Sequence, residues 1–276
     1  MCIRDSRNPN PFLGDNNGVA VGTMMLFPIL VALAQTSGSR WERVMHRFVG
    51  VGVLIRGITT YSRGGFLGAA ALAVVHFTRT DRKLRALVGT LILATLIWAV
   101  MPQAFWDRIQ TIDVSDEERD KSAQSRLDFW RVSMSMANAK PLTGVGLSGF
   151  SESFDSYNSN PNYLGEERAA HSIWFGVLGD LGYTGLVLFV LNIAAALLAC
   201  WRSAKITRGI AELRHINVYA NALISSLVVY VVGGSFLSYQ YNEMGWHLIG
   251  LSTALYFIAS REAQLLKRTG SVRNAA

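Results

Sequence analysis

The segment Ile173–Trp201, which reads IWFGVLGDLGYTGLVLFVLNIAAALLACW, decides the fold class of this chain. Asp180 is its one charged residue, and the run exceeds the roughly 20 apolar residues that a helix needs to cross the hydrocarbon core of a bilayer. Backbone polar groups inside lipid must bond to one another, and a helix satisfies them all within one segment. The segment therefore predicts an α-helical membrane protein.

Six further apolar segments lie on either side of this one and qualify as spans to different degrees. They are Asn17–Gln35, Val44–Tyr61, Gly64–Phe77, Leu84–Met101, Ile216–Tyr239 and Met244–Ser260. The third is short and is expected to begin at the Ser62–Gly65 turn. Ile173–Trp201 is long, so its first two turns are expected to lie in the interface or to re-enter. The sequence thus predicts an all-α, polytopic membrane protein of about seven transmembrane helices with one large helical loop.

The composition agrees with this fold class. Of the 276 residues, 50% are hydrophobic and 16% are charged, whereas soluble domains carry about 25% charged residues. A soluble globular enzyme and a disordered chain are both excluded. The two cysteines, Cys2 and Cys200, provide neither a disulfide framework nor a thiolate zinc site. The sequence has no HExxH motif, no GxSxG elbow and no Walker A loop, which disfavours hydrolytic and ATP-driven chemistry.

The placement of basic residues predicts the orientation of the spans. Four short basic segments, at about 40–47, 79–85, 202–214 and 261–273, fall on alternate sides of the spans, as a consistent cytoplasmic face requires. The loop 102–171 on the opposite face carries eleven acidic residues against seven basic ones. The net charge of +7 is therefore a signal of topology, and binding of nucleic acid is not expected.

The chain is expected to divide into five segments. Residues 1–16 form a leader and outer-face segment, 17–101 the first four spans, 102–171 the large outer loop, 172–260 the last three spans, and 261–276 a basic cytoplasmic tail. Met1–Ser6 lacks the apolar core of a signal peptide, although the first span would enter from the outer side. We therefore expect this chain to be the C-terminal part of a longer protein. An odd number of spans would precede it in that protein.

The large loop is long enough to be functional and is expected to contain a helix. Ser125-Arg126-Leu127-Asp128 has the form of a capping box, and Pro141 ends the segment after Lys140. An apolar stripe at helical spacing predicts a face that packs on the spans or lines a substrate groove. The stripe consists of Leu127, Trp130, Met134 and Ala137.

A glycine-rich segment, Pro141–Phe150, follows this helix. Its glycines, among them Gly144 and Gly146, allow a tight turn whose N–H groups could bind an anion. A compact turn that returns the chain to the membrane is the alternative. The motif alone does not decide between them.

Three arginines are candidates for anion binding. Arg56 and Arg63 lie seven residues apart near the outer end of the second span and would share one face if the helix persisted. Arginine within a span is costly and usually meets a counter-charge in a cavity, with snorkelling to the interface as the alternative. Arg126 lies in the predicted first turn of the loop helix, where a cation opposes the helix dipole, so it is a third candidate or an ordinary surface residue.

The residues that close the loop resemble a known family. His171-Ser172, nine residues and then Gly182-Tyr183-Thr184-Gly185 fit the pattern H-[NSQ]-x9-G-x-x-[GTY] of bacterial O-antigen ligases and related Wzy-type membrane glycosyltransferases. Tyr61–Gly65 resembles the S-R-G-G element of that family, and Pro141–Gly146 resembles its P-L-x-G-x-G stretch. Within the superfamily, the chain is most similar to the O-glycosylation ligases associated with exosortase A systems.

The resemblance implies a GT-C-like fold of roughly twelve spanning helices, of which this chain would form the C-terminal part. It implies a multi-pass enzyme of the bacterial inner membrane, with its active site facing the periplasm and its C-terminus in the cytoplasm. The reaction would transfer a glycan from an undecaprenyl-diphosphate-linked donor to a glycan, lipid or protein hydroxyl acceptor. Such a reaction belongs to cell-surface polysaccharide biosynthesis or O-glycosylation.

The resemblance also implies roles for the candidate residues. Arg63 and Arg126, with Arg56 as a weaker third, would bind the donor diphosphate through charged, bidentate hydrogen bonds. His171 would accept the proton of the acceptor hydroxyl as a neutral imidazole, or would orient the diphosphate without accepting a proton. The activated donor supplies the energy, so no cofactor, ATP or metal is expected. The motif residues with structural roles would be Ser172, Gly182, Gly185, Gly64, Gly144 and Gly146.

Three alternative functions stay open at this point. An O-antigen-type polymerase and a protein O-oligosaccharyltransferase share the architecture and differ in their acceptors. A non-catalytic transporter or flippase of lipid-linked glycans predicts internal repeats and broken helices around a midplane site. The sequence shows no clear repeat, and the candidate residues gather at the outer face, which favours an enzyme.

Overall fold

The computed structural model describes residues 16–60, 62–80, 82–100, 116–159 and 169–274. Helices make up most of these residues, and the described ranges contain no β-strand. The elements are α1 (Asn16–Thr36), α2 (Arg40–Ile58), α3 (Arg63–Arg79), α4 (Lys83–Val100), α5 (Asp116–Ala139), α6 (Phe150–Tyr157), α7 (Ile173–Ile206), a 3-10 helix (Ala211–Leu213), α8 (Arg214–Gly234) and α9 (Glu243–Asn274). The predicted all-α fold is confirmed.

The helices follow the apolar segments of the sequence. Each predicted span coincides with a helix that begins within about one turn of the predicted start. By length and composition, α1, α7 and the stretch Ala211–Gly234 are able to cross a membrane, and Gly64–Arg79 is a shorter apolar helix. These helices agree with a membrane protein, while the number of seven spans stays a prediction.

The chain forms two compact units. Unit 1 comprises Met1–Leu72, Leu191–Val232 and Tyr241–Ala276, and unit 2 comprises Ala73–Val190 and Gly233–Gln240. The candidate residues are distributed over both units. Unit 1 contains Arg56 and Arg63, and unit 2 contains Arg126 and His171.

Unit 1 is built around α1. Met25 of this helix is fully buried, and its carbonyl accepts a hydrogen bond from Ser226 Oγ of α8 at 2.7 Å. Near the C-terminal end of α1, Thr36 Oγ1 and Tyr219 Oη of α8 lie 2.7 Å apart and share a hydrogen bond. Hydrogen bonds between helices are a common means of association in apolar surroundings. These two bonds hold α1 and α8 together at two separate levels.

The chain turns sharply between the first two arginine candidates. α2 ends at Ile58 and α3 begins at Arg63, so the helix does not persist from Arg56 to Arg63. Thr60 Oγ1 donates to the carbonyl of Gly57 at 2.6 Å, which satisfies an acceptor at the end of α2. The condition for a shared helical face is therefore not met, and the two arginines flank a short turn instead.

The loop helix α5 begins earlier than its sequence signal indicates. It starts at Asp116, so the prediction that Ser125 caps the helix and that Arg126 lies in its first turn is wrong. The sequence 116–118 is Asp-Glu-Glu, and acidic residues stabilise the positive end of a helix, which accounts for the earlier start. The other end is close to the prediction, since α5 stops at Ala139 and Pro141 follows.

The buried face of α5 also differs from the predicted stripe. Leu127 and Met134 are 44% and 41% exposed, whereas Ala137 is buried and Trp130 is partly buried. The side chains that form the buried core cluster of unit 2 are Phe129, Val132, Met136, Phe150, Phe154 and Ala170. Both stripes have helical spacing. The stripe of Phe129, Val132 and Met136 is the buried one, because Phe129 packs against aromatic rings of α6. The ring centroids of Phe129 and Phe154 lie 5.6 Å apart.

Candidate active site

His171 forms the corner between the end of the loop and the start of α7. Its φ of 47° lies in the left-handed region, which is uncommon for a residue other than glycine. Its backbone N–H donates to Ser238 Oγ at 2.9 Å. Its ring lies against that of Phe129, with 5.7 Å between centroids and an interplanar angle of 42°. The side chain is half-buried, so the imidazole is held in place and still partly accessible.

Arg126 lies close to this corner. It precedes Phe129 by three residues on α5, and residues at this spacing are neighbours on a helix surface. The Arg126 side chain is half-buried. Arg126 therefore lies one helical turn from a residue that contacts the ring of His171.

Trp130 fixes α5 against the start of α7. Its ring stacks on Phe175, with 4.8 Å between centroids and an interplanar angle of 9°. Its Nε1–H donates to the carbonyl of Ala170 at 3.1 Å. Since Ala170 directly precedes His171, this bond and the contact with Phe129 hold the corner from two sides.

Arg63 is the first residue of α3, and Ser62 fixes its position. The Ser62 hydroxyl accepts a hydrogen bond from the N–H of Gly65 at 3.3 Å, as an N-cap does, and donates to Asn17 Oδ1 at 2.8 Å. Gly64, the second residue of the helix, is half-buried. The Arg63 side chain itself lies outside the described residues. A cation in a first helical turn opposes the helix dipole, so helix stability does not account for an arginine here.

Arg56 occupies a different electrostatic position. It lies in the last turn of α2 and is exposed. A cation at the C-terminal end of a helix is favoured by the dipole, so Arg56 has a structural explanation that Arg63 lacks. The ranking of Arg56 as the weaker candidate stays a prediction.

Gly182 breaks α7 within unit 2. Its φ of 67° and ψ of −168° are not helical, so carbonyls of the preceding turn leave the helical hydrogen-bond ladder. The Gly179 carbonyl accepts instead from the N–H of Val145 at 3.0 Å. The Asp180 carbonyl accepts from the N–H of Gly146 at 2.8 Å. The two sequence motifs, in the loop and in α7, are therefore bonded to each other.

The same pairing decides between the two interpretations of the glycine-rich turn. Tyr183 N–H donates back to the carbonyl of Pro141 at 2.9 Å, and Gly144 N–H donates to that of Lys140 at 2.9 Å. The N–H groups of Gly144, Val145 and Gly146 are thus bonded to carbonyls of the protein. This arrangement favours a compact turn over an anion-binding loop.

Asp180 joins a third element to the break in α7. Its carboxylate is buried, and Oδ1 accepts a hydrogen bond from the N–H of Phe150, the first residue of α6, at 2.9 Å. The loop turn, α6 and α7 consequently meet at one residue. The sequence shows Asp180 only as a charge within an apolar segment and gives no indication of this role.

The two remaining motif residues have different surroundings. The carbonyl of Ser172 accepts from the N–H of Gly176 at 2.8 Å, which begins α7. Its hydroxyl is buried and has no hydrogen-bond partner in the part of the chain that the structure describes. A Cβ added at Gly185 would collide with Cβ of Leu181, so a glycine is required for packing after the break. Within the described ranges, no group of three or more His, Cys, Asp or Glu side chains is placed to hold a metal ion.

Two residues of this corner are not singled out by the sequence. Phe129 lies one position away from the predicted stripe, and its spacing to Val132 and Met136 is the signal that points to it. Ser238 bonds to a residue 67 positions earlier, and no local pattern indicates such a contact.

Apolar helices together with a polar corner at the start of α7 define an integral membrane protein with a candidate site in its loop region. The family model for O-antigen ligase matches residues 48–190, which is more than half of the chain, and this range contains Arg56, Arg63, Arg126 and His171. The chain belongs to the O-antigen ligase family, as its motifs predict. A comparison with curated proteins gives no match.

Family membership supports an O-antigen ligase-type activity in polysaccharide biosynthesis and a glycosyltransferase-like enzyme embedded in a membrane. The association with exosortase A systems stays a prediction.

Proposed function

We propose that this protein transfers a glycan from an undecaprenyl-diphosphate donor to a hydroxyl acceptor at the periplasmic face of the bacterial inner membrane. The observation that carries the proposal is the contact between the rings of His171 and Phe129, one helical turn from Arg126. This contact supports a site in unit 2 in which a group able to accept a proton acts together with a permanent cation on α5.

The arginines have the chemistry that a diphosphate leaving group requires. Negative charge grows on the diphosphate as the bond to the sugar breaks, and fixed donors stabilise that charge strongly in a partly dehydrated site. Arg126 supplies one guanidinium. Arg63 supplies another at the N-terminus of α3, where helix geometry also favours an anion. Arg56 is a weaker third contributor.

His171 is the proposed base. The acceptor oxygen forms a bond to the anomeric carbon of the donor sugar, and its proton passes to a neutral ring nitrogen of His171. The bond between the anomeric carbon and the diphosphate oxygen breaks, and undecaprenyl diphosphate leaves with the electron pair. If His171 only orients the diphosphate, the acceptor proton goes to solvent or to the leaving group. The energy comes from the activated donor, so the reaction requires neither ATP nor a divalent metal.

The test compares glycan transfer by membranes of a host that lacks its own ligase. His171→Ala is expected to lower the transfer rate by about 10²- to 10⁴-fold, the usual contribution of a general base. Arg63→Ala and Arg126→Ala are expected to lower it by about 10²-fold, as for loss of one charge-stabilising donor. Lipid-linked donor should accumulate, and the amount of protein in the membrane should stay unchanged.

His247→Ala is the matched control. His247 is exposed on α9, and its Nδ1 bonds to the carbonyl of Glu243 at 2.7 Å. Removal of the His247 side chain is expected to leave transfer unchanged. Addition of a chelator is also expected to leave it unchanged. Normal transfer by His171→Ala, Arg63→Ala and Arg126→Ala would contradict the proposed site and favour a transporter. Loss of transfer on chelation would contradict the metal-independent mechanism.

A further inference from the structure

The unusual backbone of His171 has a specific partner. Left-handed φ values are uncommon outside glycine, so the surrounding structure must stabilise this conformation. The His171 backbone N–H bonds to a distant segment, where Ser238 Oγ accepts it at 2.9 Å. Ser238 is exposed, so its hydroxyl has no role in the packing of the core.

The segment that carries Ser238 packs along the start of α7. The Ser235 hydroxyl accepts from Trp174 Nε1–H at 2.8 Å. A Cβ added at Gly176 would lie 2.5 Å from the side-chain amide of Gln240, so this amide lies directly against the first turns of α7. The segment 233–240 and the start of α7 belong to the same compact unit.

We infer that Ser238 is a positioning residue that holds His171 in its left-handed conformation and thereby aims the imidazole at the reacting groups. The inference rests on the proposed function, in which His171 accepts a proton. Loss of the bond would allow φ of His171 to return to the more stable negative region. The Cα–Cβ bond would then turn away from its present direction and carry the ring away from Phe129. Small displacements of a catalytic group are enough to slow a reaction considerably.

Ser235 provides a matched control for this inference. It lies three residues before Ser238 in the same segment, and its hydroxyl also accepts a hydrogen bond from an N–H group, at 2.8 Å against 2.9 Å. The donor of this bond is the side chain of Trp174, so Ser235→Ala removes a bond between the same segment and α7 that is distinct from the bond to the His171 backbone. A merely structural role of the segment predicts equal effects of the two substitutions.

The experiment measures kcat and KM for donor and acceptor with Ser238→Ala, Ser238→Thr and Ser235→Ala, in membranes and with the complete protein. Ser238→Ala is expected to lower kcat by at least about 10-fold with KM changed less than twofold. Ser238→Thr, which keeps the hydroxyl, should restore most of kcat. Ser235→Ala should leave kcat within about twofold of the wild type, even where both alanine variants lower the unfolding temperature equally.

The outcomes separate this inference from the proposed function. Full transfer by His171→Ala overturns the function of His171 and the role of Ser238 with it. Loss of transfer in His171→Ala together with normal kcat in Ser238→Ala overturns the role of Ser238 alone. An equal loss of kcat in Ser235→Ala and Ser238→Ala, without recovery in Ser238→Thr, also contradicts it, because the segment then acts only through stability.

Discussion

At Gly144 the loop backbone approaches α7 so closely that a side chain has no space. Its φ is 60°, and a Cβ at this position would lie 2.5 Å from the carbonyl atoms of Asp180 and from the oxygen of Gly179. Gly146, two residues later, has φ of 108° and nothing within 4 Å of the same hypothetical atom. The two glycines therefore separate the effect of backbone conformation from that of contact.

Gly144→Ala is expected to lower the free energy of unfolding by about 3 kcal/mol, because the methyl group would force the turn away from α7. Gly146→Ala should cost only the unfavourable positive φ, on the order of 1–2 kcal/mol. Thermal unfolding of both variants in the same detergent checks the difference. Equal losses of stability would show that the contact with the Asp180 carbonyl has no energetic weight.

The candidate residues illustrate what single residues reveal in a sequence. The chemistry of Arg63, Arg126 and His171 can be predicted, because permanent charge and a neutral imidazole are properties of the side chains themselves. The residues that these side chains contact cannot be predicted in the same way. Phe129 and Ser238 contact His171 through tertiary structure, and neither contact has a signature in the local sequence.

At the scale of the helices, α7 depends on its neighbours at the break. Its carbonyls at Gly179 and Asp180 bond to the loop turn, and the Asp180 carboxylate bonds to the first N–H of α6. Polar groups freed by a break in an apolar helix need such replacements. A residue within α7 consequently helps to hold the start of α6.

Asp180→Ala is expected to reduce stability by about 1–3 kcal/mol, because the buried N–H of Phe150 loses its acceptor. Asp180→Asn keeps an oxygen at this place and should recover most of the loss. Asp155→Ala, an exposed acidic residue of α6, serves as the control for removal of charge. Limited proteolysis between α6 and α7 provides the measurement. Faster cleavage in Asp180→Asn than in Asp180→Ala would contradict the role of the acceptor.

The bounds of helices could be predicted where apolar runs are long, and less well elsewhere. The predicted spans all begin within about one turn of observed helices, because their residues follow from the demands of a bilayer. The start of α5 could not be predicted, because the sequence around Ser125 has the form of a helix cap although the helix begins at Asp116. The break at Gly182 could not be located either. It depends on carbonyls that bond to Pro141–Gly146, about 40 residues earlier.

For the whole molecule, the distribution of charge predicts which parts face the cytoplasm. The segment around Arg208, between α7 and α8, is one of the basic segments, and α6 belongs to the acidic loop. Both Arg208 and Ser156 of α6 are exposed, so cysteines at these positions would be accessible to a reagent on their own side.

A membrane-impermeant maleimide is expected to label Ser156→Cys in intact cells and Arg208→Cys only after lysis, following the distribution of basic residues. The native Cys2 and Cys200 are replaced beforehand to provide a silent background. The measurement is the labelled fraction of each variant before and after lysis. The reverse pattern would invert the orientation and would place the candidate site in the cytoplasm.

The pairing of the Pro141–Gly146 turn with α7 uses backbone atoms on both sides. Apart from Gly144 and Gly146, which the backbone conformation requires, such a connection does not depend on which side chains the turn carries. Leu142 is 75% exposed and Leu147 is 69% exposed, so both point away from it. The exposed side chains at these two positions can therefore change while the backbone pairing underneath stays the same. For protein engineering, these two positions are therefore places where the turn can be varied without rebuilding its contact with α7.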